Sequence, residues 1–327
     1  MDLDSRTARW ALSVLPPGTE IHTVGALGGG WSSLIRTLHT SRGDYVLRSM
    51  TRPELADRAA EMLTRETRAL RMLESTGIPA PRVLGTDPSA ACCAWPSLLM
   101  TRLPGRVVIA ADSSAADSSA ADSSAGDSSA GAWASAPARR RASALARQLA
   151  EIHRFRPPTP FPEYVAWSWP GEITHPVNTT RPDLWRLAEA LITRTPPPYH
   201  PLFLHRDFHP GNVLFDDSGA ITGVIDWTET SRGPADLDVA HCATMLALLH
   251  GDPLADFFVE AYRESGGRLA PDRPSHLYWR LLDALSFAPS AANAAGPWRA
   301  LGRTDLTDAV LTTALERHLT HLLTTLA

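Results

Sequence analysis

The order of apolar and polar positions gives the chain two halves of different character. In the first half, Ser5 to Leu15 reads as a short amphipathic helix, stopped by Pro16-Pro17-Gly18. Ile21 to Leu27, Ser33 to Thr40 and Tyr45 to Met50 read as three strands. Gly28-Gly29-Gly30 and the hairpin turn Ser41-Arg42-Gly43-Asp44 join them. Pro53 to Glu74 reads as a long helix ended by Gly77 and Pro79, and Arg82 to Thr86 and Ser97 to Leu103 as two further strands. Helical patterns dominate the second half: Arg139 to Phe155, with Leu145, Leu149 and Ile152 on one face, then Asp183 to Thr193, Asp238 to Leu249, Ala255 to Ser265, His276 to Ser286 and Thr307 to Leu326. Pro157 to Pro170 is rich in proline and aromatic residues and reads as irregular.

Between the halves, residues 111–130 are four near-copies of one pentamer, the first being Ala111-Asp112-Ser113-Ser114-Ala115. The tract carries no large apolar side chain. It cannot repay the entropy of ordering and is expected to be disordered. The division that follows is residues 1–103, a linker of 104–136 containing the repeat, and 137–327. Deleting Asp112 to Ala130 should leave the melting temperature and activity near those of the full chain, because almost no apolar burial is lost. Loop-closure cost changes slowly with length, so the gain from shortening stays below about 1 kcal/mol. A large loss of activity in the deletion variant, at an unchanged melting temperature, would instead make the tract part of a functional site.

The candidate chemistry sits in a run from the second half, His205-Arg206-Asp207-Phe208-His209-Pro210-Gly211-Asn212, followed by Val224-Ile225-Asp226-Trp227. Pro201 to Leu204 is a short apolar strand that delivers Asp207 to a strand end. Pro210-Gly211 forces a turn, Asn212 to Phe215 leaves it as a strand, and Asp216-Asp217-Ser218-Gly219 turns the chain again. Ala220 to Ile225 then returns antiparallel, which places Asp226 beside Asn212. An acid, an amide and a second acid at this spacing suit phosphoryl transfer. Asp207 would accept the proton of an attacking hydroxyl, and Asn212 and Asp226 would hold Mg²⁺.

These residues resemble the catalytic loop of the aminoglycoside phosphotransferase family, which includes choline and homoserine kinases of the same fold. Gly233 to Ala240, Arg65-Glu66-Thr67-Arg68-Ala69-Leu70, Gly77 to Leu84 and Leu98 to Gly105 match that family in type and order. The resemblance covers nearly the whole chain outside the repeat. It implies an α+β, bilobal protein-kinase-like fold: an antiparallel-sheet N-lobe with one long helix and a mainly helical C-lobe. It also implies ATP and Mg²⁺ as the cofactors and a small-molecule hydroxyl as the acceptor.

The remaining roles follow that resemblance. Gly30 and Ser32, in the glycine-rich turn, would cover the phosphates with backbone N–H groups. Arg48 stands in Val46-Leu47-Arg48, where a kinase carries its strand lysine, and would clamp phosphates while paired with Glu66 of the long helix; Glu61 is the alternative partner. Thr101 and Leu103 would offer backbone hydrogen bonds to the adenine. His205 and Arg206 are expected to support the loop, and Asp238 to buttress it or cap its helix. Trp167, Trp169, Glu163, Glu172 and Glu229 fall where an acceptor could bind, and are equally well accounted for as ordinary C-lobe packing and surface.

Composition narrows the classes. A chain of 327 residues can build two lobes, and 44% apolar with 20% charged residues is an ordinary globular balance. A net charge of −4 gives no push toward nucleic acid. No apolar run reaches membrane-spanning length and Met1-Asp2-Leu3-Asp4 is no signal peptide, so a cytoplasmic protein that does not engage a membrane is expected. The adjacent Cys92 and Cys93 read as reduced strand residues. All 31 basic residues are arginine, so the arginine at position 48 reflects composition before chemistry. A protein kinase is disfavoured: only residues 227–237 separate Asp226 from Asp238, too few for an activation loop, and no Ala-Pro-Glu follows. A catalytically dead nucleotide-binding scaffold finds support only in Arg48. The acceptor stays open among an aminoglycoside, another antibiotic, a sugar and an amino alcohol.

Overall fold

A computed structural model of the protein describes residues 3–28, 33–109, 135–176, 179–193, 195–288 and 292–326. Gly30, Ser32 and the pentamer tract lie outside the described residues. Helix α1 (Ser5–Val14) opens the chain, its amide at Thr7 capped by the Asp4 carboxylate. Strands β1 (Ile21–Leu27), β2 (Leu34–Thr40) and β3 (Gly43–Ser49) follow, then α2 (Ala56–Leu73), β4 (Val83–Asp87) and β5 (Ser97–Thr101). The five strands form one sheet in the order β1-β2-β3-β5-β4, with every pairing antiparallel.

The sheet has a helix on each side, and strand alternation decides what faces which. Tyr45 and Leu47 of β3 and Leu99 of β5 join Trp10, Ala11 and Leu15 of α1 in one cluster. Val46, Leu98 and Met100 point the other way, into a second cluster with Met62, Leu63, Leu70 and Leu73 of α2. Arg48 therefore points toward α2. On α2, Glu66 lies one turn from both Met62 and Leu70, on the buried stripe.

The chain crosses through β6 (Arg106–Val107) into a helical half. There α3 (Ala136–Arg154), α4 (Pro182–Ala190), α5 (Ala235–His250), α6 (Asp252–Glu264), α7 (Arg273–Ser286), α8 (Ala292–Ala300) and α9 (Asp308–Thr325) surround short strands. Those strands are β7 (Leu202–Leu204), β8 (Val213–Phe215), β9 (Ile221–Val224) and β10 (Ser231–Gly233), arranged as β6-β8-β9 and β10-β7. Helix α5 is buried from Ala235 to Leu249, including its polar Asp236, Asp238 and His241, each of which finds a hydrogen-bond partner. It packs against α3, α6, α7 and α9 and carries the floor of the site. No helix among the described residues is long and apolar enough to cross a membrane.

Several expected boundaries shift. Strand β5 ends at Thr101, not Leu103. Helix α5 starts at Ala235 behind Pro234, so Asp238 lies inside its first turn and is not its cap. Cys92 and Cys93 are free and sit in the bend between β4 and β5, where their amides and that of Ala91 donate to the Asp87 carboxylate.

Candidate active site

Strand β7 runs into His205, and the loop from there to Asn212 is held from below. The Asp238 carboxylate accepts the amides of His205 and Arg206, each at 2.8 Å, and lies 3.2 Å from His153 Nε2. Arg206 sits at φ +74° and Asp226 at φ +65°, conformations that side chains other than glycine adopt only when their surroundings hold them there. His205 donates from Nε2 to the Ile225 carbonyl at 3.0 Å and receives the Asp207 amide on Nδ1 at 3.2 Å. One nitrogen gives and the other takes, so the ring is neutral, and its burial favours that form. Arg206 donates to the Val165 carbonyl and spreads 4.6 Å from the centre of the Trp167 ring.

Asp207, Asn212 and Asp226 meet at one place. The Asn212 amide nitrogen donates to Asp207 Oδ2 at 2.8 Å and to the Asp207 carbonyl at 2.9 Å. The Ile225 amide donates to the Asn212 carbonyl at 3.0 Å, which sets Asp226 next to Asn212 across the β8–β9 hairpin. Arg48 reaches over from the sheet: its Nη1 donates to Asp226 Oδ1 at 2.8 Å, while its Nε lies 3.5 Å from Glu66 Oε2. Glu61 pairs instead with Arg65, so Glu66 is the helix partner of Arg48. Burial pushes the Glu66 carboxyl up to about 7 despite Arg48 beside it.

The donor set fits a hard cation. The Asn212 nitrogen is committed to Asp207, which leaves its side-chain oxygen free to ligate. Arg48 and Thr228 both bond Asp226 Oδ1, which leaves Oδ2. Two oxygen donors from adjacent strand ends suit Mg²⁺ better than a soft metal.

Thr101 only half matches its expected role. Its amide donates to the Arg82 carbonyl at 2.9 Å, so only its carbonyl is left for an adenine. Leu103 roofs the β9 strand: a Cβ added at Gly223 would come within 2.7 Å of Leu103 Cδ1.

Comparison with known proteins bears on this geometry. Residues 23–279 match the sequence pattern of the phosphotransferase enzyme family (APH), more than three quarters of the chain. The chain belongs to this family. A curated relative, the uncharacterized protein YcbJ of Bacillus subtilis (strain 168), is 30% identical over 74 residues, a match spanning 23% of each chain. Macrolide 2'-phosphotransferase type I shares the fold at a TM-score of 0.55 and 17% identity, over 96% of this chain and 97% of that one. A thermostable mutant of aminoglycoside phosphotransferase APH(4)-Ia, solved with ADP and hygromycin B, does so at 0.57 and 15%, over 92% and 94%. The fold is therefore the protein-kinase-like fold of these phosphotransferases.

Around this phosphotransferase loop stand residues that the sequence did not single out. His241 of α5 places Nε2 3.1 Å from Asp207 Oδ1 and Nδ1 3.0 Å from Asp283 Oδ1 of α7. His241 follows Asp238 by three residues, and that helical spacing was the available signal. Asp283 gave none, because only the packing of α7 on α5 brings it near. His209 puts Nε2 3.6 Å from Asp207 Oδ1, and its Nδ1 accepts the Gly211 amide at 3.0 Å. Asp207, His209 and His241 lie close enough to suggest a metal cluster. The Gly211 bond argues against it, because an Nδ1 that accepts leaves the proton on Nε2. Of the residues expected near an acceptor, Trp167 sets its ring edge-on to His241 at 4.9 Å, whereas Glu163 is engaged by the Tyr199 hydroxyl at 3.0 Å.

Arg48 invites a direct test in this family member. Arg48→Ala would strand Glu66 in the core without its cation, and breaking such a pair costs about 3–5 kcal/mol. The variant should melt lower, with a raised KM for ATP and a reduced kcat. Arg48→Lys should retain substantial activity. If Arg48→Lys proves as inactive as Arg48→Ala in the same assay, the guanidinium fork is required and composition does not explain the arginine.

Proposed function

We propose that the protein is an ATP-dependent kinase of a small hydroxyl compound, acting in the cytoplasm without nucleic-acid or membrane partners. The observation that carries this reading is the convergence of Asp207, Asn212 and Asp226 with the Arg48–Glu66 pair facing them. Asp207 orients the acceptor hydroxyl and receives its proton as the new oxygen–phosphorus bond forms and the bond from the γ-phosphorus to ADP breaks. Asn212 and Asp226 would hold Mg²⁺, which when bound neutralises charge on the nucleotide phosphates. Arg48, with Gly30 and Ser32, would grip those phosphates, and Leu103 with the Thr101 carbonyl would border the adenine.

Phosphoryl transfer of this type passes through a loose transition state, so positioning and charge supply most of the acceleration. The acceptor is an aminoglycoside or another antibiotic, with a choline-, homoserine- or sugar-type metabolite as the alternative. The test is a transfer assay with γ-labelled ATP and Mg²⁺ across aminoglycosides, macrolides, amino alcohols and sugars. Acceptor-dependent label transfer is expected from one class. ATP binding with no transfer to any class would favour a nucleotide-binding scaffold.

A further inference from the structure

The buried pair beneath Asp207 has no part in the chemistry described so far. His241 is almost fully buried, and each of its ring nitrogens faces a carboxylate oxygen, Asp207 at 3.1 Å and Asp283 at 3.0 Å. An ionised carboxylate only accepts hydrogen bonds, so with both acids ionised both nitrogens carry protons. The ring is thus an imidazolium clamped between two acids. Phe287 stacks 5.9 Å from it at an interplanar angle of 11°, and the Trp167 ring meets it edge-on. Asp207 is left with Oδ1 engaged by His241 and Oδ2 by the neutral amide of Asn212.

We propose that His241, held by Asp283, is a positioning residue that fixes the Asp207 carboxylate in the rotamer whose Oδ2 meets the acceptor hydroxyl. The proposal rests on the phosphotransferase reading for its kinetic consequences, and on geometry alone for the charge state of His241. Were His241 to lose the Nε2 proton, its lone pair would face Asp207 Oδ1 across 3.1 Å, and the carboxylate would have to swing away.

The charged surroundings agree. Burial opposes the imidazolium, but Asp283 and Asp207 raise the His241 pKa to about 9. From the loop, His209 also faces it, but burial lowers that ring to about 4 and keeps it neutral. From α7, Arg280 is buried one turn before Asp283, and Arg206 lies over the Trp167 ring. Asp238 stands one turn earlier on α5 itself. Burial pushes the Asp207 carboxyl up, yet the neighbouring histidines hold it well below the usual carboxylate range. At neutral pH the charge responsible is that of His241. A carboxylate so held serves better to orient a hydroxyl than to strip it early, which suits a loose transition state.

The sign of the pH dependence follows. The imidazolium is present below about 9 and is lost as pH rises through that value. Asp283→Asn removes one carboxylate while keeping the shape, and should bring the His241 pKa down toward the ordinary value of about 6.5.

Two measurements test this. Nitrogen-15 NMR of histidine-labelled protein, with the His241 signals assigned by their loss in His241→Gln, should show both nitrogens protonated in the wild type at pH 7.5. In Asp283→Asn the same ring should be neutral. A neutral His241 in the wild type, or one unchanged by Asp283→Asn, would overturn the proposal whether or not any acceptor is ever phosphorylated. With an acceptor in hand, the wild-type kcat should decline as pH rises through about 9 at unchanged KM for ATP, and His241→Ala, which removes the donor to Asp207 Oδ1, should show a lowered kcat without that step. Parallel profiles, with kcat lowered only in proportion to folded protein, would reduce His241 to a packing residue.

Discussion

Asp207→Asn should lower kcat by roughly two or more orders of magnitude while leaving the affinity for Mg·ATP near that of the wild type. The carboxylate accepts His241 on one oxygen and the Asn212 amide on the other. An amide has a single acceptor oxygen, so Asn at this position must turn its own NH₂ toward one of those two donors. The variant therefore loses the proton acceptor and also the geometry that aims it. Nucleotide binding should survive, because Arg48, Glu66 and Asp226 are joined to one another without Asp207. Calorimetric titration with Mg·ATP and steady-state kinetics with the acceptor separate the two effects. Wild-type turnover in the variant would show that Asp207 does not handle the acceptor hydroxyl.

How much of this was legible depended on whether the signal was local. Strand alternation turns Arg48 toward α2, but the choice of Glu66 over Glu61 as its partner comes from the family resemblance and not from spacing. The loop from His205 to Asn212 and the return to Asp226 could be read because turn residues punctuate a tight double hairpin. The strands β6 and β10 hold two and three residues, too few for any period to show. Pairing across sequence, such as Arg232 of β10 with Phe203 of β7, is what defines them. Helix α8 contains Gly296 and Pro297, which argue against a helix locally, and it forms regardless. The apolar run of α5 hid its start, because Ala235 and Leu237 are as apolar as the residues that follow Asp238. Asp283 was illegible for a different reason: its partner, His241, lies 42 residues away on another helix.

The Asp226 position should prove as demanding as Asp207, but in binding where Asp207 acts in turnover. Asp226→Ala should abolish the Mg²⁺-dependent part of ATP binding, since its carboxylate is the donor expected to face both the cation and the phosphates. Asn212→Ala should weaken it less, because a neutral amide contributes less to holding a dication. Alanine alone cannot decide the matter, because Asp226 sits at φ +65° and a left-handed alanine is itself strained by roughly 1–2 kcal/mol. Asparagine tolerates that backbone and keeps the side-chain shape, so Asp226→Asn isolates the charge. It also leaves Arg48 with Glu66 as its only acid partner of the two it has now. Titration of ATP with and without Mg²⁺ should therefore show the metal-dependent increment lost in both variants, and a lower melting temperature in the alanine variant. If asparagine retains the increment and alanine does not, the negative charge of Asp226 is not what holds the cation, because an amide oxygen in its place can still ligate it as that of Asn212 is expected to. Retention in both would remove Asp226 from the metal site altogether.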